Sequence, residues 1–158
     1  RAREVFDFDA FAHLCFIDIE SKMTPEELSQ IKATFSDVFF QTVFDAKSDI
    51  LKHVIAKPAY HLKGTKGDLV TVGVSGKSPD GMIKMGFYLK HQTDGHFNLA
   101  DIDVDGVLLS RNYRGSFNRV FREQGFVGLY QRIENKKSQA TQSPTDRFAN
   151  PLKRWESQ

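Results

Sequence analysis

One cysteine in 158 residues excludes an internal disulfide and any metal site built from several thiolates. That residue, Cys15, stands in the apolar run His13-Leu14-Cys15-Phe16-Ile17, the setting of a small buried side chain and not of a reactive thiolate. No apolar stretch approaches the roughly 20 residues that span a bilayer. Neither sign of charge dominates: 22 Lys and Arg stand against 20 Asp and Glu, a net charge of +2 with histidine neutral. The basic residues are scattered, as Lys63/Lys66, Arg111/Arg114 and Arg119/Arg122, with no long patch interleaved with aromatics. Charge therefore gives nucleic-acid binding little support. Tryptophan is down to one residue, Trp155, near the C-terminus. Because the first residue is Arg1, the sequence does not speak to a signal peptide.

Phenylalanine, by contrast, is abundant at 14 residues. It suits either a Phe-rich core or the wall of a pocket for a long apolar ligand. The length fits one domain with a real core. We place that domain at residues 1–137, with a helical part over about 5–53, a sheet over about 54–109 and C-terminal helices over about 113–137. Residues 138–158 are polar, carry Pro144 and Pro151, show no periodicity and read as a disordered tail.

Residues 6–22 read as a helical segment with Phe8, Phe11, Leu14 and Cys15 on one face. A strong start signal follows, in which Thr24 can cap, Pro25 suits the first helical position and Glu27 completes a capping box. From there Leu28, Ile31, Phe35, Val38, Phe39, Val43, Ala46, Ile50 and Leu51 recur at helical spacing, and Phe40 and Phe44 widen the stripe. A helix apolar over so much of its circumference is deeply buried or borders a cavity.

After residue 54 the period changes to two. Tyr60/Leu62, Val70/Val72/Val74, Ile83/Met85/Phe87/Leu89 and Phe97/Leu99 alternate with polar neighbours. Turn sequences at 63–67, 75–81 and 92–95 make these strands an antiparallel meander, with Pro58 marking an edge or a bulge. Beyond Phe97 the phase slips, since Ile102 and Val104 have the opposite parity; this predicts a bulge near Ala100–Asp101. Ser110, Arg111 and Asn112 turn into a helix from Tyr113 that stops at Gly125, and Val127, Leu129, Tyr130 and Ile133 mark a second short helix.

Asp101-x-Asp103-x-Asp105-Gly106 mimics the opening of a calcium loop. Its spacers Ile102 and Val104 are apolar, however, it continues a strand, and Asn112 stands where the bidentate Glu would fall. Three carboxylates on a strand, facing water or pairing with Arg111 or Arg114, explain the motif better; no metal is expected. The histidines His13, His53, His61, His91 and His96 have no ligand spacing, and Ser75, Ser110 and Ser116 lack a nucleophile elbow. Gly73-x-x-Gly76 lies between strands and is no phosphate loop. No residue pattern supports an enzyme.

The order of elements over residues 97–137, with Asp101, Asp105–Gly106, Leu109, Asn112–Tyr113–Arg114, Phe117, Gly125 and Leu129 at their intervals, resembles the C-terminal block of the MlaC (toluene-tolerance) family. Thr24–Pro25–Glu26–Glu27, Ile31, Phe35, Val38–Phe39 and Thr42 resemble that family's long helix. The upstream half departs, with Phe16–Ile17 and Glu20 in place of a Leu-Gly step and a Trp, and an earlier N-terminal helix is missing; Phe97 replaces a common Trp and Leu108 a common Ser.

The resemblance implies an α+β fold in which a twisted antiparallel sheet is wrapped by helices, cystatin-like or nuclear-transport-factor-like, around an apolar cavity. It implies a periplasmic phospholipid carrier, with phospholipid as cargo and no cofactor. The carrier would work between an inner-membrane ABC transporter complex and an outer-membrane lipoprotein complex. The candidate lining is Phe39, Val43 and Leu51 from the long helix and Val70, Val72, Phe87, Leu89, Ile102 and Val104 from the strands. Val107, Leu109, Phe117, Phe121 and Leu129 follow from the turn and last helices; about half of the whole set is expected to be ordinary core. In the family Asn112–Tyr113–Arg114 marks the strand-to-helix junction, where Arg114 can pair with Asp101 or Asp105 or meet a lipid phosphate. A non-transporting protein-binding member, a binder of another apolar molecule such as a polycyclic lipid, and an enzyme of the same architecture are the alternatives.

Overall fold

The computed structural model describes residues 2–44, 58–78 and 81–140. The chain is α+β, with helices first, an antiparallel meander next and a long bent helix last. The elements are α1 (Ala2–Val5), α2 (Phe8–Phe16), a 3-10 turn (Glu20–Lys22), α3 (Pro25–Phe44), β1 (Ala59–Lys66), β2 (Leu69–Ser78), β3 (Gly81–His91), β4 (Phe97–Val104), β5 (Val107–Leu108) and α4 (Leu109–Ala140). The strands form one sheet in sequential order, β1-β2-β3-β4-β5.

The segment read as a single helix over 6–22 is an α-helix over 8–16 only, followed by a turn and the 3-10 segment over 20–22, and Phe6 is outside it. Phe6 makes a parallel bridge to Leu99, and the amide of Asp7 donates to the Leu99 carbonyl at 2.9 Å. The Asp7 carboxylate then accepts from the Ala10 amide at 3.1 Å and starts α2 afresh. Sequence periodicity cannot register this, because the partner lies on β4. Leu14, expected on the inner face of α2, is exposed, whereas Phe11, Ala12, Cys15 and Phe16 are buried.

The capping box forms as written: the Thr24 amide donates to Glu27 Oε2 at 2.9 Å, and the Glu27 amide to Thr24 Oγ1 at 3.2 Å. The continuation of α3 expected through Leu51 lies outside the described residues, as do 138–158 beyond Ala140. Strands outlast the turn sequences that were to end them. β1 runs through Gly64 to Lys66, with a register shift between Leu62 and Gly64 absorbing Lys63. β2 runs to Ser78. The second bulge falls where the parity slip placed it: Asp101 pairs with Tyr88 and Leu99 with Leu89, leaving Ala100 without a partner.

The hairpin β4–β5 turns on Asp105 and Gly106, with φ of 51° and 85°, the left-handed pair of a two-residue turn matched to strand twist. From Leu108 the chain passes straight into α4, so the helix begins at Leu109 and not at Tyr113. Gly125, at φ 69° and ψ −167°, breaks α4 into two helical segments at the residue where the first was expected to stop.

The three helices α2, α3 and α4 meet in a core of aromatic rings. Phe35 packs edge-on against Tyr113 and Phe117, each at 5.0 Å between centroids, and Phe16 stacks on Phe117 at 4.9 Å. Phe11 lies 4.7 Å from Phe39. Much of the phenylalanine content thus fills the helical core.

Candidate functional site

Strand register sorts the sheet into two faces of opposite chemistry. On one, apolar side chains form rows across the strands: Tyr60–Val74–Met85–Val104–Val107, then Leu62–Val72–Phe87–Ile102, then Thr65–Val70–Leu89–Leu99. The other carries His61, Gly73, Gly86 and Asp103 in one row and Tyr88 beside Asp101 in the next. A Cβ at Gly86 would run into the buried Asp103 carboxylate, whereas one at Gly73 would meet only the exposed His61 imidazole, which can swing aside.

The apolar face is covered unevenly. Ile102 on β4 is 1% exposed, Phe87, Leu89, Val70 and Val72 on β3 and β2 are half-buried, and Tyr60 and Leu62 on β1 are 68% and 66% exposed. Among the described residues the helices meet the sheet chiefly at β4 and β5. The face from β1 to β3 is therefore an apolar wall that the described helices leave largely open, a surface of the kind that receives an apolar ligand.

The candidate lining residues divide accordingly. Val70 and Val72 lie in the open part of the wall; Phe87, Leu89 and Val104 continue it while packing on the core, and Val43 and Phe121, on the helices, are partly buried against that core. Phe39, Ile102, Leu109, Phe117 and Leu129 are buried inside the core cluster. Val107 is 42% exposed at the sheet corner, and Leu51 is outside the described residues. Tyr60, Leu62, Val74 and Met85 belong to the same wall. Their alternation made them strand residues, and carrying that parity across the meander would have added them to the site.

Two grooves are lined by described residues. One, of about 400 Å³, is lined by Arg3, Phe6, Asp7, Phe8, Asp9, Ser36, Phe40 and Asn98. The other, of about 260 Å³, is lined by Val107, Arg111, Asn112, Gly115, Ser116 and Arg119. Of the apolar rows only Val107, at the end of one, reaches either groove.

The aspartates of the calcium-like motif are engaged with the protein. Asp101 accepts from the Ser110 hydroxyl, from the Ser110 amide at 3.3 Å and from the Ile102 amide at 2.9 Å, and so caps the start of α4. Asp103 accepts from Tyr88 Oη at 3.1 Å and the Gly106 amide at 3.2 Å, and Asp105 from the Lys84 amide at 3.1 Å. No group of three or more His, Cys, Asp or Glu among the described residues is placed to hold a metal ion. Burial drives the Asp101 carboxyl above its ordinary range despite those donors. Burial, with Asp101 adding, pushes the Cys15 thiol well up, which keeps it protonated.

Arg114 does not pair with Asp101 or Asp105. Its guanidinium grips Asp18, on the turn after α2, through Nε to Oδ2 at 2.6 Å and Nη2 to Oδ1 at 2.7 Å, and Asn118 Nδ2 adds a donor at 2.5 Å. Both carboxylates that the sequence offered were already taken by backbone amides and hydroxyls. No described helix is long and apolar enough to cross a membrane.

In fold, the chain is similar to a phospholipid-binding protein from Ralstonia solanacearum, solved in complex with a phospholipid, with a TM-score of 0.67 at 20% identity over 87% of this chain and 76% of that one. No curated protein matches by sequence. The family model described as MlaC protein matches residues 1–135, nearly the whole of the described fold. The chain belongs to the MlaC family.

Proposed function

We propose that this protein is a periplasmic phospholipid carrier whose acyl-chain site is the apolar wall of β1 to β3. One observation carries the reading: a contiguous apolar sheet face, from Val70 and Val72 out to Tyr60 and Leu62, is left largely uncovered by the described helices. Membership of the MlaC family and the phospholipid in the Ralstonia solanacearum structure support it. In this role the chain hands lipid between an outer-membrane lipoprotein complex and an inner-membrane ABC transporter complex, and makes or breaks no bond.

Transfer of this kind is a balance. Each buried methylene contributes about 0.8 kcal/mol, so two acyl chains represent roughly 20 kcal/mol against water. A bilayer offers nearly the same. Site and membrane must lie close in free energy, and docking partners bias the direction. A wall without ionic groups, adjoining the aromatic core at β4, suits that requirement.

Native mass spectrometry of freshly purified protein, with lipid extraction, tests the reading. Stoichiometric phospholipid is expected, and Val72→Trp, which fills the open part of the wall, is expected to abolish retention with the fold intact. Protein that purifies empty and takes no lipid from vesicles would decide for the rival, a non-transporting member that binds a protein; the filled aromatic core between α2, α3 and α4 is the feature in its favour.

A further inference from the structure

The second groove lies at the corner where β5 runs into α4, with Arg111 and Arg119 on its sides. On α4, residues 111, 115, 119 and 122 follow spacings that place them on one helix face. Three of these are arginine, and the fourth is Gly115, where a Cβ would meet nothing within 4 Å. A basic face is thus built with an open floor between two guanidinium groups, and the exposed Val107 forms its apolar edge.

Several other cations of the helices are held by carboxylates: Arg3 and Lys137 by Asp37, Lys32 by Glu20 and Arg114 by Asp18. Arg111 and Arg122 are exposed and have no such carboxylate among the described residues. The acid nearest in sequence to Val107, Asp105, is committed to the Lys84 amide. Past the groove, Arg132 keeps Nε and Nη2 buried without a hydrogen-bond partner, and its guanidinium loses affinity for its proton, first through burial and then through the field of Arg119, with the Glu123 carboxylate acting the other way.

We propose that this groove docks an acidic segment of a protein partner, with an Asp or Glu carboxylate entering over Gly115 between Arg111 and Arg119 and an adjacent aliphatic side chain covering Val107. A guanidinium fork matches a carboxylate with two parallel hydrogen bonds, and arginine beside an apolar contact is the usual composition of an interface anchor. The concave shape favours a protruding side chain over a flat headgroup layer, and free phosphate would have no use for Val107. The site is at the corner of β5 and α4, shares only Val107 with the apolar rows and contains no residue of β1 to β3, where the acyl-chain site is proposed, so it stands or falls independently of lipid carriage.

The test uses the whole chain and a short fluorescein-labelled peptide alternating Glu and Leu, followed by anisotropy. Binding is expected to weaken about tenfold in Arg111→Glu/Arg122→Glu and to fall steeply with salt. Gly115→Gln, which favours the helix and fills the floor without changing charge, should weaken binding as well while leaving lipid retention unchanged. Lys63→Glu/Lys66→Glu on β1 makes the same charge change elsewhere and should leave binding within about twofold. Equal losses from the β1 variant, equal binding of a Gln/Leu peptide, or Arg111-dependent binding to phosphatidylglycerol vesicles without peptide binding would each overturn the proposal.

Discussion

Arg114 and Asp18 meet fork to carboxylate across the turn that joins α2 to the 3-10 segment, with both oxygens engaged at 2.6 and 2.7 Å. The donated hydrogen bonds of Arg114, reinforced by Asn118, lower the Asp18 pKa to about 2. A carboxyl depressed in the folded state stabilises the fold above its unfolded pKa, near 4, and loses that contribution as pH falls toward 2. Denaturant titrations at successive pH values should show wild-type stability dropping over that window and Asp18→Asn dropping less. An unchanged acid slope in the variant would break the link.

Asp101 has the opposite sign. Its folded pKa is raised, by burial first, so stability declines as pH climbs from the unfolded value through the folded one. Asp101→Asn should flatten that limb while keeping an acceptor for the Ile102 and Ser110 amides. Ser110→Ala removes the hydroxyl donor to a buried carboxylate and should cost about 1–3 kcal/mol. Loss in Ser110→Ala smaller than experimental error would mean that the cap is not holding the start of α4.

Core and wall should separate under truncation. Phe117 is fully buried and stacked on Phe16, so Phe117→Ala is expected to cost about 3–5 kcal/mol. Val72 is half-buried on the open wall, and Val72→Ala should cost about 1 kcal/mol while reducing lipid retention. Equal stability losses at the two positions would show that the wall is ordinary core.

The orphaned fork of Arg132 gives a prediction of stabilisation. Replacing an arginine whose Nε and Nη2 are buried without a partner by an unbranched apolar side chain removes their desolvation penalty, so Arg132→Met should raise the melting temperature. A lower melting temperature would reveal that Arg132 is held by something in solution.

Local signals carried far in this chain. The reciprocal Thr24–Glu27 cap, the alternation of the meander, the slip at Ala100 and the stop at Gly125 each depend on a few neighbouring residues, and each is present. What escaped depends on distant partners. Phe6 leaves the helix for Leu99, Arg114 turns to Asp18 because Asp101 is already filled, and α4 starts early because Asp101 supplies a cap from nine residues upstream. The site was half legible for the same reason. Period gives the face a residue occupies, but which columns of that face lie beneath helices is a matter of packing. Ile102 and Val72 therefore looked alike in the sequence and differ in the fold.

The unpaired Ala100 has one more bearing. Register on both sides of it is already correct, with Leu99 opposite Leu89 and Asp101 opposite Tyr88, so deleting this alanine would leave every facing pair in place. The extra residue alters curvature alone. Its removal would straighten the fourth strand without exchanging a single lining atom, a means of asking how much of the ligand preference resides in shape and how much in composition.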